Sequence, residues 1–178
     1  MSTSPNTTSA GFPANASPAE LLYPDMAQEL ANTRRLLERI PDGKDDWKPH
    51  GKSMALGNLA THVAELPRFA TMILTTDEFD FGAGTWPKVT ITSNADRLAL
   101  FDEVAAGMVS GINSATWPAL DRNWKMRMGE QVFMNDRKAN LLRGTISHIA
   151  HHRAQLGVYL RQLDITIPGM YGPSADEM

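Results

Sequence analysis

Four stretches of the chain carry apolar residues at helical spacing, and this periodicity limits the folds that the sequence can adopt. The first begins at Ser17-Pro18-Ala19-Glu20, a capping box with proline at the first helical position, and ends at Pro41-Asp42-Gly43. The others run from about Met54 to Thr76 with a kink expected at Pro67, from Ser93-Asn94-Ala95-Asp96 through Ile112, and from Asn135 or Asp136 to about Leu163. With no internal repeat and no alternation of strands and helices, they predict an all-α four-helix bundle with long connections.

Two connections between these helices differ in pattern. The segment from Asp77 to Thr92 contains two glycines and a proline, and we expect a long irregular connection. Between Asp121 and Met134 apolar and basic residues alternate, and Gly129-Glu130 is typical of a turn. The second segment therefore predicts either a short β-hairpin before the last helix or a structured loop.

The overall composition is that of an ordinary globular domain. The 178 residues suffice for one hydrophobic core, and we expect residues 17–178 to form a single domain. Residues 1–16 are rich in Ser, Thr, Asn, Ala and Pro and lack the apolar core of a signal peptide, so we predict a disordered tail. No apolar run approaches the ~18 residues of a membrane span.

Charge and cysteine content narrow the classes of function. The net charge is −3 and basic residues are scattered among acidic ones, which argues against binding to nucleic acid. The chain has no cysteine, so thiolate metal ligands and cysteine nucleophiles are excluded, and any metal ion must be bound by nitrogen and oxygen. The lack of cysteine also fits a cytoplasmic protein.

Three of the five histidines are candidate metal ligands because of their helical positions. His148 and His152 are four residues apart, so their rings can meet on one flank of the last helix. His62 lies in the middle of the apolar face of the second helix, where a buried imidazole needs partners for both of its nitrogens. His151 falls towards the polar side of its helix, and His50 lies in a loop, so neither is included.

Other interpretations of these histidines remain open at this point. A buried histidine is more often hydrogen-bonded in a core than bound to metal, and pairs at four-residue spacing also arise by chance. Each observation strengthens the other, because a helical bundle can bring the two inward faces together.

Several motifs of the chain resemble those of the DinB family and its YfiT-like relatives. They are Leu59-Ala60-Thr61-His62-Val63-Ala64-Glu65, His148-x-x-His151-His152-Arg153-x-Gln155-Leu156, Asp46-Trp47-Lys48-Pro49 and the terminal segment from Pro168 to Glu177. The resemblance spans nearly the whole chain from Leu21 onward. Many members have glycine after the arginine of the last-helix motif, where this chain has Ala154.

The resemblance implies a four-helix bundle in which His62, His148 and His152 bind a divalent metal ion, often zinc or nickel. It also implies a homodimer. Some relatives are S-transferases or isomerases that use a low-molecular-weight thiol such as bacillithiol or mycothiol, and a small-molecule substrate is therefore expected.

Three imidazole ligands leave a coordination position open, which is typical of catalytic rather than structural zinc. We therefore expect a metal-dependent enzyme, a hydrolase or S-transferase in which a metal ion lowers the pKa of a water or a small thiol. Glu65, three residues after His62, is a weak candidate for the general base, since a glutamate there is more often surface. The alternatives are a non-catalytic bundle stabilised by a metal ion and a helical interaction module without one.

Overall fold

The computed structural model describes residues 16–178 and consists mainly of helices. Seven α-helices are present in this range: α1 (Pro18–Leu22), α2 (Met26–Leu37), α3 (Leu56–Glu65), α4 (Pro67–Thr75), α5 (Asn94–Asn113), α6 (Trp117–Leu120) and α7 (Lys138–Gln162). Three strands, β1 (Glu78–Asp80), β2 (Asn123–Met128) and β3 (Gln131–Arg137), form one sheet in the order β1-β2-β3. A 3₁₀ turn, Phe81–Ala83, follows β1.

The first predicted helix consists of two helices in the structure. The capping box is present, because the Ser17 side chain accepts from the Glu20 N–H and Glu20 reaches back to the Ser17 N–H. The helix stops after Leu22 since Pro24 disfavours the helical conformation at Tyr23, whose φ and ψ are −136° and 44°. The chain resumes as α2 at Met26.

The second predicted helix is divided in the structure where the kink was expected. It passes from α3 to α4 at Leu66, whose N–H still bonds to the His62 carbonyl. Pro67 occupies the first position of α4 and has no N–H to donate. His62 therefore lies on α3, before this interruption, and the apolar residues that follow it lie on α4.

The expectation of an all-α fold was too simple, because the molecule contains a three-stranded sheet. The predicted hairpin is confirmed as β2 and β3, which pair antiparallel around Gly129 at φ +57°. The connection after Asp77 contributes β1, which pairs parallel with β2 and was not predicted. Arg127 of β2 binds Glu78 and Asp80 of β1, so cross-strand ion pairs support a strand with little apolar pattern of its own.

The last helix begins two or three residues later than predicted, because β3 continues through Arg137. Lys138 opens α7 in a buried position, and its ammonium donates to the Thr76 carbonyl at 2.6 Å. This contact ties the start of α7 to the end of α4.

The long helices pack around one cluster of buried side chains. Helix α7 contacts α2, α3 and α4, and α5 contacts the same three helices from the other side. Leu36, Leu59, Met108, Leu142 and Leu156 are at most 2% exposed in this cluster. No helix in the range 16–178 combines the length and the apolar character that crossing a membrane requires. The tail predicted for residues 1–16 lies, except for Ala16, outside the described residues, and the single domain stays a prediction.

We expect Asp96→Asn to reduce the acid sensitivity of the fold. The Asp96 carboxylate accepts from the Thr92 hydroxyl, the Thr92 N–H and the Ser93 N–H, and these bonds lower its pKa from 3.8 to about 2. Because the folded-state pKa lies below the unfolded-state value, this stabilisation is present above about pH 4 and is lost as the pH falls towards 2. Urea unfolding across this range measures the effect.

The control for this measurement is Glu103→Gln, which removes an exposed acid from the same helix. Asp96→Asn should flatten the decline of the unfolding free energy with acid, and Glu103→Gln should not. An unchanged decline in Asp96→Asn would contradict the assignment of this carboxylate to the acid-sensitive helix cap.

Candidate metal centre

The structure brings His62, His148 and His152 together at the contact between α3 and α7. The nitrogens that they can offer to one ion all lie within 4.8 Å of one another. The Nε2 atoms of His148 and His152 are 2.8 Å apart. The ring centroid of His62 lies 4.7 Å from that of His152 and 5.4 Å from that of His148. These are the three residues that helical position indicated as ligands.

The separations between these nitrogens fit a single divalent ion. Three nitrogens about 2.1 Å from one tetrahedral ion lie roughly 3.4 Å from one another. The observed 2.8 Å pair is slightly closer than this, and the upper limit of 4.8 Å is slightly wider. Side-chain rotations that move the ring nitrogens by about an ångström close this difference. The three imidazoles can therefore hold a metal such as zinc or nickel.

The protonation of the cluster favours metal ligation. Burial, with the neighbouring His152 and His148, lowers the pKa of His62 from 6.5 to about 4. Burial and the adjacent histidines His152 and His151 also lower the pKa of His148. Neutral imidazole is the form that binds metal, so little deprotonation is needed for binding near neutral pH.

The other two histidines lie away from the point of convergence. His151 is exposed on α7; its ring centroid is 4.8 Å from that of His152, but it is outside the converging group. His50 is exposed in the loop before α3, where its Nδ1 accepts from the Lys52 N–H.

Gln155 is a site residue that sequence reasoning missed. Its side-chain Oε1 lies 2.7 Å from Nδ1 of His152, so it can accept the ring N–H and leave Nε2 free for a metal ion. Partners of this kind fix the orientation and tautomer of metal-binding histidines. Its position three residues after His152 on a helix places it beside that ring, and this spacing could have identified it.

A buried ion pair fixes the rotation of α7 beside the metal centre. Arg153 follows His152, and its side chain is only 3% exposed. Its guanidinium binds the Glu29 carboxylate at 2.6 Å and donates to the Glu29 carbonyl and the Thr33 hydroxyl of α2. The Tyr171 hydroxyl bonds to both charged groups. Because successive helix residues point about 100° apart, the position of Arg153 against α2 also sets the direction of His152.

Trp47 and Tyr159 form a contact next to the cluster. Their rings meet edge to face at a centroid distance of 5.6 Å, and the Tyr159 hydroxyl donates to the Met54 carbonyl. Tyr159 lies seven residues, or about two turns, after His152 on α7, so this contact anchors the loop before α3 onto α7. The structure therefore assigns both aromatic residues to holding that loop.

A polar cleft of about 390 Å³ lies beside His62. Its polar lining comes from α3 and the preceding loop: Asp45, Asp46, Asn58, Thr61, His62 and Glu65. Partial burial raises the pKa of Glu65, against the opposing effects of Arg68 and Trp86. Glu65 is outside the group that converges on one point, but it shares this cleft with His62.

Arg97 of α5 forms part of the wall of the same cleft. The residue is 2% exposed; Nη2 binds Asp45 at 2.6 Å and Nε donates to Thr61. Gly57 permits the close approach of the Asp45 loop, since a Cβ there would lie 2.8 Å from the Asp45 side chain. The cleft therefore has a fixed wall.

An apolar cavity of about 410 Å³ reaches His148. Its apolar lining comes from α4, the hairpin and α7: Phe69, Ile73, Trp124, Met126, Met134 and Leu141. The histidine cluster thus borders two cavities of different character, a polar cleft at His62 and an apolar cavity at His148.

Sequence comparison identifies the family of this chain. The model of the DinB family matches residues 13–178, which is most of the chain. The chain belongs to the DinB family. A segment of 38 residues is 47% identical to the uncharacterised protein YrdA of Bacillus subtilis (strain 168), and it covers 21% of this chain and 23% of YrdA.

Solved structures of DinB-like proteins share the fold. YjoA of Bacillus subtilis superposes with a TM-score of 0.67 at 18% identity, over 86% of this chain and 99% of that one. A DinB-like protein of Bacillus cereus ATCC 10987 gives 0.61 at 21% identity, over 84% and 95%. A protein assigned to the DinB family from Exiguobacterium sibiricum 255-15 gives 0.60 at 18% identity, over 92% and 99%. At these identities the likeness establishes the fold.

Replacing any of the three converging histidines should remove most of the bound metal. We expect His62→Ala, His148→Ala and His152→Ala to lose zinc or nickel, because two imidazoles bind an ion much less tightly than three. His151→Ala is the matched control and should retain it. Elemental analysis of protein purified without a histidine tag gives the ratio of metal to protein; equal losses in all four variants would contradict the site.

Gln155→Leu should weaken metal binding without removing a ligand. Loss of the partner of His152 Nδ1 should lower metal affinity by about 10–100-fold. Gln162→Leu, an exposed glutamine on the same helix, is the control. Competition with a chromogenic chelator measures both affinities, and equal affinities in the two variants would exclude a positioning role for Gln155.

Proposed function

We propose that this protein is a metal-dependent enzyme, built on a four-helix bundle, that activates water or a small thiol for attack on a small electrophile. The reaction class is hydrolysis or S-transfer. The observation that carries the proposal is the convergence of three imidazole nitrogens within 4.8 Å, with a polar cleft at His62 and an apolar cavity at His148. A site that serves only to cross-link two helices has no need of such cavities.

The donor set suits zinc or nickel, which both bind imidazole well. A divalent ion held by three neutral imidazoles supplies a Lewis acid that lowers the pKa of a water or thiol. His62, with its pKa lowered to about 4, remains neutral in the pH range where such an ion binds. Gln155 bonds to Nδ1 of His152, which leaves Nε2 of that ring free for the ion.

Glu65 is the residue proposed to accept the proton of the nucleophile. Its carboxylate lines the same polar cleft as His62, and its partial burial raises its pKa, which makes it a better proton acceptor than an exposed glutamate. The charge of Arg68 and a hydrogen bond from Trp86 oppose this rise in the pKa of Glu65. The polar cleft is also the side from which a hydrophilic thiol cofactor can reach the cluster.

The second candidate is a metal-stabilised bundle without catalysis. The observation that favours it is the origin of the ligands, since His62 belongs to α3 and the other two belong to α7. An ion bound by both helices stabilises the folded state by mass action, whatever else it does. The homodimer and the cytoplasmic location stay predictions, and sedimentation of the purified protein tests the first.

Turnover by the metal-loaded protein separates the two candidates. Zinc- and nickel-loaded protein is incubated with bacillithiol, mycothiol, glutathione or water, together with a panel of alkyl halides, epoxides and activated esters. We expect one nucleophile to be consumed, the activity to be lost in His62→Ala, and Glu65→Gln to lower the rate by about 10²–10⁴-fold. Glu103→Gln, an exposed glutamate on α5, should leave the rate unchanged.

The opposite result has a clear form. If metal raises the melting temperature of the wild-type protein but not of His62→Ala, and no combination of nucleophile and electrophile turns over, the metal-stabilised bundle is the better description. If Glu65→Gln keeps full activity, the proton acceptor is another group.

A further inference from the structure

The wall of the apolar cavity offers few hydrogen bonds to a ligand. The indole N–H of the fully buried Trp124 is used by the Thr76 hydroxyl at 2.9 Å. The Thr145 hydroxyl donates to the Leu141 carbonyl, one turn earlier in α7. A molecule inside the cavity therefore gains from apolar contact and has little polar recognition to satisfy.

The single ionisable residue in this wall is His148, which belongs to the histidine cluster. The cavity thus has an apolar body and one end at the candidate metal centre. Its volume of about 410 Å³ falls within the roughly 300–1,000 Å³ of small-molecule sites. A ligand that fills the body and carries a polar group at one end would present that group to the cluster.

Gly144 lies in the wall of the cavity next to His148 and is exposed. It lies four residues before His148 on α7, so both residues occupy one face of the helix. A Cβ built at this glycine meets no atom within 4 Å, and its φ is not positive. A larger side chain at this position therefore has room to reach over the cavity.

We propose that the apolar cavity binds the hydrophobic tail of the substrate and directs its electrophilic group to His62, His148 and His152. The inference rests on the proposed function and assigns the substrate class, which is a small electrophile with an alkyl or aromatic tail. The nucleophile then approaches from the polar cleft at His62, so the two reactants reach the cluster through different cavities.

Two series of straight-chain probes test the proposal. Primary alcohols from butanol to octanol are titrated into metal-free protein. Alkyl hydroxamates from acetohydroxamate to octanohydroxamate are titrated into zinc-loaded protein. Calorimetry measures the affinity in both series. In wild type, each added methylene should raise affinity by about fourfold until the cavity is full. In Gly144→Leu this gain should disappear in both series, whereas acetohydroxamate should bind as tightly as in wild type.

Two further variants keep the test decisive. Ala154→Leu adds the same side chain at an exposed position of α7 away from this cavity and should behave as wild type. Met134→Gln changes the wall at a half-exposed strand residue, so it tests the cavity even if Gly144→Leu fails to fold. It should reduce the gain per methylene in both series.

The outcomes distinguish the inference from the function on which it rests. If alcohols gain affinity with length but no hydroxamate binds, the cavity binds apolar tails while the metal-dependent function fails. If neither series gains affinity with length, or Gly144→Leu retains the gain, the inference is overturned. If no probe of either series binds and Gly144→Leu changes the sedimentation of the protein, a second copy of the chain covers the cavity. This result also overturns the inference.

Discussion

The buried pair between Arg153 and Glu29 is the interaction on which the geometry of the histidine cluster depends. Both side chains are almost fully buried, and the Tyr171 hydroxyl completes their hydrogen bonds. A charge left alone in such a place costs about 3–5 kcal/mol, so α7 cannot rotate away from α2 without a large penalty. Since Arg153 directly follows His152, the pair sets the direction in which the histidines of α7 face. The core then needs only to bring α3 alongside for His62 to reach them.

Much of this arrangement could be predicted from the sequence, because helical periodicity is a local property. The four-residue spacing of His148 and His152 and the place of His62 on an apolar face depend only on helix geometry. The signals for helix starts at Ser17 and Ser93 also depend only on neighbouring residues, and both capping boxes are present in the structure. The faces on which the histidines lie in two helices predicted that their side chains meet, and the nitrogens of His62, His148 and His152 do converge.

The features that were missed depend on contacts between distant parts of the chain. Strand β1 has three residues, and its pairing with β2 requires a hairpin that lies more than 40 residues later in the sequence. Arg127 of β2 stabilises β1 through ion pairs with Glu78 and Asp80, and no local sequence pattern indicates these pairs. The two cavities are formed between elements that are separate in sequence, so their volumes could not be predicted. Pro24 also ends α1 early. The effect of a proline on a helix was expected at Pro67 but was not considered at Pro24.

The placement of β3 at the edge of the sheet has an evolutionary consequence. Its residues are all exposed, including Met134, which also borders the apolar cavity, whereas the histidines lie on helices that share the core. Substitutions at exposed edge positions usually change stability by no more than about 0.5 kcal/mol. Mutations can therefore accumulate in this wall of the cavity while the ligands stay constant. On the proposed function, chains that keep these three histidines can therefore differ in the molecules that the cavity admits, and the histidines alone do not specify the substrate.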